Sequence, residues 1–192
     1  MAPRLKAQYD DQVADKLRSQ FAIKNPMATP ALSKIVISIG LGQQLEGTKI
    51  NANARKTVLD NLAVITGQRP VMTKAKKSVS NFKVRAGYEN GAMVTLRAAH
   101  MWEFFDRLVS LAIPRIRDFR GLNTNRFDGR GNYSFGVTEQ AIFPEIDMGN
   151  TTFTHGMNIT FVITNSDDAK SKTLLTELGM PFAGTGSEAA SG

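Results

Sequence analysis

The 192-residue sequence contains no cysteine. That excludes a disulfide framework, a thiolate zinc site and a cysteine nucleophile. Histidine occurs only at His100 and His155, far apart in the chain, so each is expected to be structural or exposed. No apolar run reaches the roughly 18–20 residues that a membrane span needs. Residues 1–20 mix Arg, Lys and Asp with spaced apolar side chains and lack a secretory h-region, so a cytoplasmic chain is expected. Acids are scarce where bases are dense. Residues 1–130 hold 22 Lys and Arg against 10 Asp and Glu, whereas residues 131–192 hold 2 against 7. A net charge of +7 with this asymmetry suggests a polyanionic partner for the basic part. Mild basicity is common among soluble proteins, so the placement of the cations has to decide.

What is present reads as alternating helices and strands. Leu5, Tyr9, Val13, Leu17 and Phe21 recur every four residues as one stripe of an amphipathic helix, which Asn25-Pro26 and Thr29-Pro30 break. Ile35 to Ile39 is a β-branched strand ending at Gly40 and Gly42. Asn51 caps a second helix carrying Ala54, Val58, Leu62 and Ile65, closed by Gly67 and Pro70. Residues 70–99 read as short strands joined by basic turns, with Val94, Leu96 and Ala98 on one face and Met93, Thr95 and Arg97 on the other. Met101 to Ala112 is a third helix, buried through Phe104, Phe105, Leu108 and Leu111 and stopped by Pro114. Residues 115–156 are long, Gly-rich and weakly patterned. Met157 to Thr164 is a strand, and Ser166 caps a last helix whose Leu174, Leu175 and Leu178 pack inward. The pattern predicts an α+β fold: a mainly antiparallel open sheet, helices packed on one face, and a long Arg/Gly-rich irregular segment. The open face would carry Thr95, Arg97 and Thr160. One domain over 1–182 is expected, with 183–192 (AGTGSEAASG) a disordered tail.

Two stretches could carry function. Gly67 to Gly87 holds Arg69, Lys74, Lys76, Lys77, Lys83 and Arg85 without an acid. Uncompensated cations repel one another unless water or an anion screens them, and neutralising phosphates releases counterions. This predicts RNA contact, with Phe82 available to stack on a base or ribose; a solvated turn with Phe82 in the core is the alternative. Arg115 to Gly136 has five Arg, four aromatics and four Gly. A segment of this length and composition fits a partner-binding loop for RNA or protein; the alternative is an ordered loop in which Asp118 and Asp128 pair locally with Arg.

Catalytic signals are thin. Gly40-Leu41-Gly42 follows a strand, but Leu45 stands where a dinucleotide fingerprint needs its third Gly, so a sharp, closely packed turn is the reading. Ser134 lies in no nucleophile elbow. Glu139, Glu145 and Asp147 could bind a hard cation in a metal-dependent phosphate hydrolase, yet their spacing matches no known ligand loop. A protein acting mainly through other proteins, docking by Arg115 to Gly136, is the second alternative.

Several motifs carry a family resemblance. Lys34-Ile-Val-Ile-Ser-Ile-Gly40-Leu-Gly42, Thr66-Gly-Gln-Arg-Pro70, Lys76-Lys-Ser-Val-Ser-Asn-Phe82-Lys-Val-Arg85 and Val94-Thr-Leu-Arg97 resemble the bacterial large-subunit ribosomal protein L5 family. So do Trp102-Glu-Phe-Phe-Asp-Arg107, Pro114-Arg-Ile-Arg-Asp-Phe-Arg-Gly121, Phe127-Asp-Gly-Arg-Gly-Asn-Tyr133 and Phe143-Pro-Glu-Ile-Asp147. The resemblance runs in order from about residue 3 to Phe182. It implies a non-catalytic, cofactor-free protein that anchors 5S rRNA in the central protuberance, with no membrane or small-molecule partner. It implies 5S rRNA contacts at Lys34, Gln68, Phe82 and Thr95, to which the acid-free segment and the open face add Arg69, Lys83, Arg85 and Arg97. It implies that Lys74, Lys76 and Lys77 reach P-site tRNA. Arg115, Arg117 and Arg120 would meet the small-subunit head protein "S-thirteen" in an inter-subunit bridge. Three departures stand out: Ser38 where the family usually has Asn, Ala98-Ala99-His100 where Gly-Glu-Arg is common, and Met148 to Gly156 in place of a charged stretch.

Overall fold

The computed structural model describes residues 3–46, 49–82, 84–146 and 153–183. The secondary structure begins with α1 (Arg4–Gln8), a π-helical turn (Tyr9–Val13) and α2 (Ala14–Gln20). Four residues advance about 400° in an α-helix, so a strict four-residue repeat drifts about 40° per step. The wider π turn takes up that drift. Leu5, Tyr9, Val13 and Leu17 are accordingly all buried.

Strand β1 (Ala31–Gly40) follows, then a small antiparallel ladder of β2 (Leu45–Glu46) and β3 (Lys49–Ile50) that the sequence pattern did not predict. Helix α3 (Ala52–Thr66) starts where Asn51 Oδ1 accepts the Asn53 and Ala54 N–H groups at 2.8 and 3.2 Å. It ends on Gly67, whose φ of 66° is the left-handed conformation a helix terminus favours. Strands β4 (Val71–Lys74) and β5 (Glu89–Leu96) form an antiparallel hairpin with Val71 opposite Met93 and Lys74 opposite Glu89. Helix α4 (Ala98–Arg107) runs into a second π turn (Leu108–Ala112) and a 3-10 turn (Ile113–Arg115). Strand β6 (Tyr133–Val137) lies inside the stretch expected to be irregular; its five residues alternate buried and open, but Gly129 and Gly131 before it and Gly136 within it hide so short a strand. Strand β7 (Met157–Thr164) and α5 (Asp168–Glu177) complete the elements.

The five long strands form one open antiparallel sheet in the order β4-β5-β1-β7-β6, so the fold is α+β. On β1, Ile35, Ile37 and Ile39 are buried while Lys34, Val36 and Ser38 stay half-exposed. On β7, Met157, Ile159, Phe161 and Ile163 are buried while Asn158 and Thr164 are exposed. This two-residue alternation places one face of each strand in the core and leaves the other open.

By packing, the chain divides into two compact units: Met1–Ile35, Arg97–Phe135 and Thr160–Gly192 form one, and Val36–Leu96 with Gly136–Ile159 form the other. In the first, Phe105 meets Phe161 edge-on at 5.2 Å, and Tyr133 meets Phe182 edge-on at 5.2 Å. In the second, α3 buries Val58, Leu62 and Ile65 and packs on β5.

Two expectations shift in detail. Leu111, expected to be buried, is 49% exposed, while Ala112 and Ile113 are buried instead, because the π turn delays the helical phase by about one residue. Asp167, not Ser166, caps α5: its carboxylate accepts the Lys170 N–H at 2.9 Å.

Candidate nucleic-acid interface

The second unit holds the basic hairpin. Beyond β4 and β5 the ladder continues through Ala75 N–H to Tyr88 O at 2.8 Å and Gly87 N–H to Ala75 O at 2.9 Å. Val79 and Val84 then form an isolated bridge, with N–H to O distances of 2.9 and 3.2 Å. The Ala86 N–H donates to Ser78 Oγ at 2.9 Å. These bonds close the segment into a defined finger rather than an open loop. A 3-10 turn, Ser80–Phe82, makes its tip.

Arg69, Lys74, Lys76, Lys77 and Arg85 are all exposed, and Gln68 and Thr95 are half-buried. Among the described residues none of these five cations forms an ion pair. Lys83 lies outside the described residues. The one carboxylate in register with the finger is Glu89, opposite Lys74, and it is already engaged: Arg55 of α3 grips it through Nε at 2.8 Å and Nη2 at 3.3 Å. The finger therefore keeps its positive charge. Phe82 is 72% exposed, so the alternative that places it in the core is set aside, and Val79 beside it is also exposed. Sequence reasoning missed Val79; a valine in a β-branched, basic stretch carries no mark of being at the tip.

The first unit holds the other cations singled out from the sequence. Lys34 on β1 is half-buried. Arg97 is not in β5 as the alternation suggested: β5 ends at Leu96, and Arg97 is the exposed N-cap residue of α4. Thr160 is half-buried and its Oγ1 accepts from Ser134 Oγ at 2.9 Å. Arg115, Arg117 and Arg120 are exposed. Arg117 reaches Asp118 only at 3.9 Å, with both side chains almost fully in water, so the pair contributes little. Among the described residues Asp128 forms no ion pair with Arg. It accepts the backbone N–H of Arg130 and of Asn132 at 2.8 and 3.0 Å, and the Asn132 side chain holds its carboxyl below the usual range.

This Arg-rich segment is pinned from behind. Leu122 N–H donates to Pro181 O at 2.8 Å and Ala183 N–H to Leu122 O at 2.9 Å. Asp168 accepts the N–H groups of Gly129 and Gly131 at 3.2 and 2.9 Å. Tyr133 Oη donates to Asn123 O at 3.0 Å, and burial pushes its hydroxyl up to about 12.

Nothing catalytic assembles among the described residues. No group of three His, Asp or Glu is placed to hold a metal ion. Asp147 lies outside the described residues, as do 148–152 of the divergent stretch and 184–192 of the tail. His100 is exposed. His155 is 7% exposed, and its Nε2 lies 3.0 Å from Asn61 Nδ2. Gln140, fully buried, accepts the His155 N–H at 2.7 Å and donates to Phe153 O at 3.0 Å. Gly40 and Gly42 do stand at a turn, but a Cβ added at either would meet open space, so close packing does not explain them. No helix among the described residues is long and apolar enough to cross a membrane.

The chain is thus a basic α+β protein with an open sheet and a carboxylate-poor finger. Residues 25–85 match the family model described as "Ribosomal protein L5", and residues 89–182 match "ribosomal L5P family C-terminus". The chain is 51% identical over 180 residues to "Large ribosomal subunit protein uL5" of Streptomyces coelicolor, covering 94% of this chain and 95% of that protein. It is 50% identical over 182 residues to the protein of the same name from Anaeromyxobacter sp. (strain K), covering 95% and 99%, and 48% identical to that of Cutibacterium acnes, covering 94% and 84%. The chain belongs to the bacterial ribosomal protein L5 family. It is a structural, non-enzymatic constituent of the large ribosomal subunit, works in translation in the cytoplasm, and has rRNA as a partner.

Proposed function

We propose that this chain binds 5S rRNA within the central protuberance, reaches P-site tRNA with its basic finger, and joins an inter-subunit bridge to the head protein "S-thirteen". The observation that carries the reading is the finger itself: exposed Lys74, Lys76, Lys77 and Arg85 with Glu89 taken by Arg55. A hydrogen-bonded hairpin that leaves its cations to water supplies affinity for phosphate without the cost of ordering a disordered loop. Exposed Phe82 offers a stacking surface at the tip, and half-buried Lys34, Gln68 and Thr95 are assigned to 5S rRNA. Arg69, Lys83, Arg85 and Arg97 add to that rRNA surface. Arg115, Arg117 and Arg120, on a pinned segment, are assigned to the protein contact.

Neutralising variants separate these roles. Lys76→Ala with Lys77→Ala should leave 5S rRNA binding within about threefold and weaken P-site tRNA retention on reconstituted ribosomes. Phe82→Ala should lower 5S rRNA affinity by about 1–3 kcal/mol, the range for a base–aromatic stack, with thermal stability unchanged. Equal tRNA retention by the double variant would remove the finger from tRNA recognition.

A further inference from the structure

Of the large apolar side chains that stand in water among the described residues, Met27 is the most exposed, at 84%. A floppy loop would make that unremarkable, but this turn is tied by several hydrogen bonds. Met27 N–H donates to Asn25 Oδ1 at 2.9 Å, and Ala28 N–H to Asn25 O at 2.9 Å. Thr29 Oγ1 donates to Pro26 O at 2.7 Å. Asn165, held at a φ of 57°, donates its Nδ2 to the Met27 carbonyl at 2.9 Å. Tyr9 Oη closes the turn's far side on Pro30 O at 2.8 Å. Pro26 and Pro30 restrict the backbone further. These hydrogen bonds fix the backbone from which the Met27 side chain projects into water.

An apolar side chain carried on a fixed backbone turn suits a binding anchor, because little backbone entropy remains to be lost on contact. The charge around it names the partner. Residues 16–45 hold Lys16, Arg18, Lys24 and Lys34 and no carboxylate. Lys16 and Arg18 are paired with Glu177 and Asp15, but Lys24 is exposed and forms no ion pair among the described residues. Asp167, two residues past Asn165, is occupied by Lys170 at 2.8 Å. Methionine is among the residues that wedge against unstacked bases in nucleic-acid complexes, and its unbranched thioether adapts to an irregular surface.

We propose that Met27 is an apolar anchor that seats on nucleobase or ribose surface of ribosomal RNA, with Lys24 beside it for phosphate. This rests on the rRNA-binding reading. Its signature is separable from that of a cation: losing an apolar contact lowers affinity but leaves the salt slope alone. The test uses the full chain with 5S rRNA and, separately, protein-free large-subunit rRNA, over a salt series. Met27→Ala should lose about tenfold in affinity on one of the two RNAs, the scale of burying one such side chain, with unchanged slope and melting temperature. Met27→Leu should retain binding, and Lys24→Ala should flatten the slope. Wild-type protein that binds neither RNA would overturn the rRNA reading itself. Wild-type binding with Met27→Ala equal to it overturns the anchor alone. Equal RNA affinity coupled to loss of the variant from assembled subunits also overturns it, in favour of a protein pocket.

Discussion

At the scale of single residues, two positions hold strain or charge that experiments can read. Ala98 begins α4 at a φ of 49°, where a Cβ is unwelcome and glycine would be at ease. Ala98→Gly is expected to raise stability by about 1 kcal/mol in urea denaturation, although glycine elsewhere in a helix would lower it. His155 is the second. Burial lowers its pKa below the ordinary value, so the neutral ring is favoured in the folded chain. The unfolded chain then takes up a proton that the folded chain refuses. Stability is full above an unfolded value of about 6.5 and falls as pH drops below it, towards the folded pKa. The melting temperature should decline between about pH 7 and pH 5, and the His155 ring proton should titrate below the ordinary histidine range by NMR. A ring that titrates at or above that range would show that burial does not keep it neutral.

At the scale of elements, local chemistry decided most of what could be read. Asn51 and Gly67 bracket α3 in the sequence and in the structure because a cap and a left-handed terminus are local requirements. Asn51→Ala is expected to cost about 1 kcal/mol. The Leu5-to-Phe21 stripe was legible as a helix, yet its π turn was not, since the same four-residue spacing is compatible with a straight amphipathic helix until packing selects the face. The π turn after Arg107 likewise moved burial from Leu111 to Ala112. Strand β6 went unseen because its pairing partner, β7, is distant in sequence and glycines precede and interrupt it. The finger's cations were legible from composition; that Arg55 removes Glu89 from them was not, because the pair is 34 residues apart. Gly91 shows the same limit. A Cβ there would sit 2.5 Å from the Ile39 carbonyl oxygen, a contact invisible in the sequence. Gly91→Ala is expected to destabilise the protein by about 1–3 kcal/mol or more, as overpacking does, with a lower denaturation midpoint as the readout.

At the scale of the whole molecule, the uneven charge is the feature that joins fold to function. The first 130 residues carry the surplus of bases, and the described cations of the finger keep theirs unpaired. The sheet is open, and family membership places the chain in the large ribosomal subunit. Affinity from phosphate neutralisation and selectivity from a few side chains on a rigid surface are two separable contributions. The measurement that tests their joint claim most directly is equilibrium binding of 5S rRNA to the full chain across a salt series, against an unrelated RNA of equal length. The account predicts tight binding with a steep salt slope, a slope smaller by about 0.7–0.9 for each phosphate-contacting lysine replaced, and a clear preference for 5S rRNA. A slope near zero, or equal affinity for the two RNAs, would contradict it.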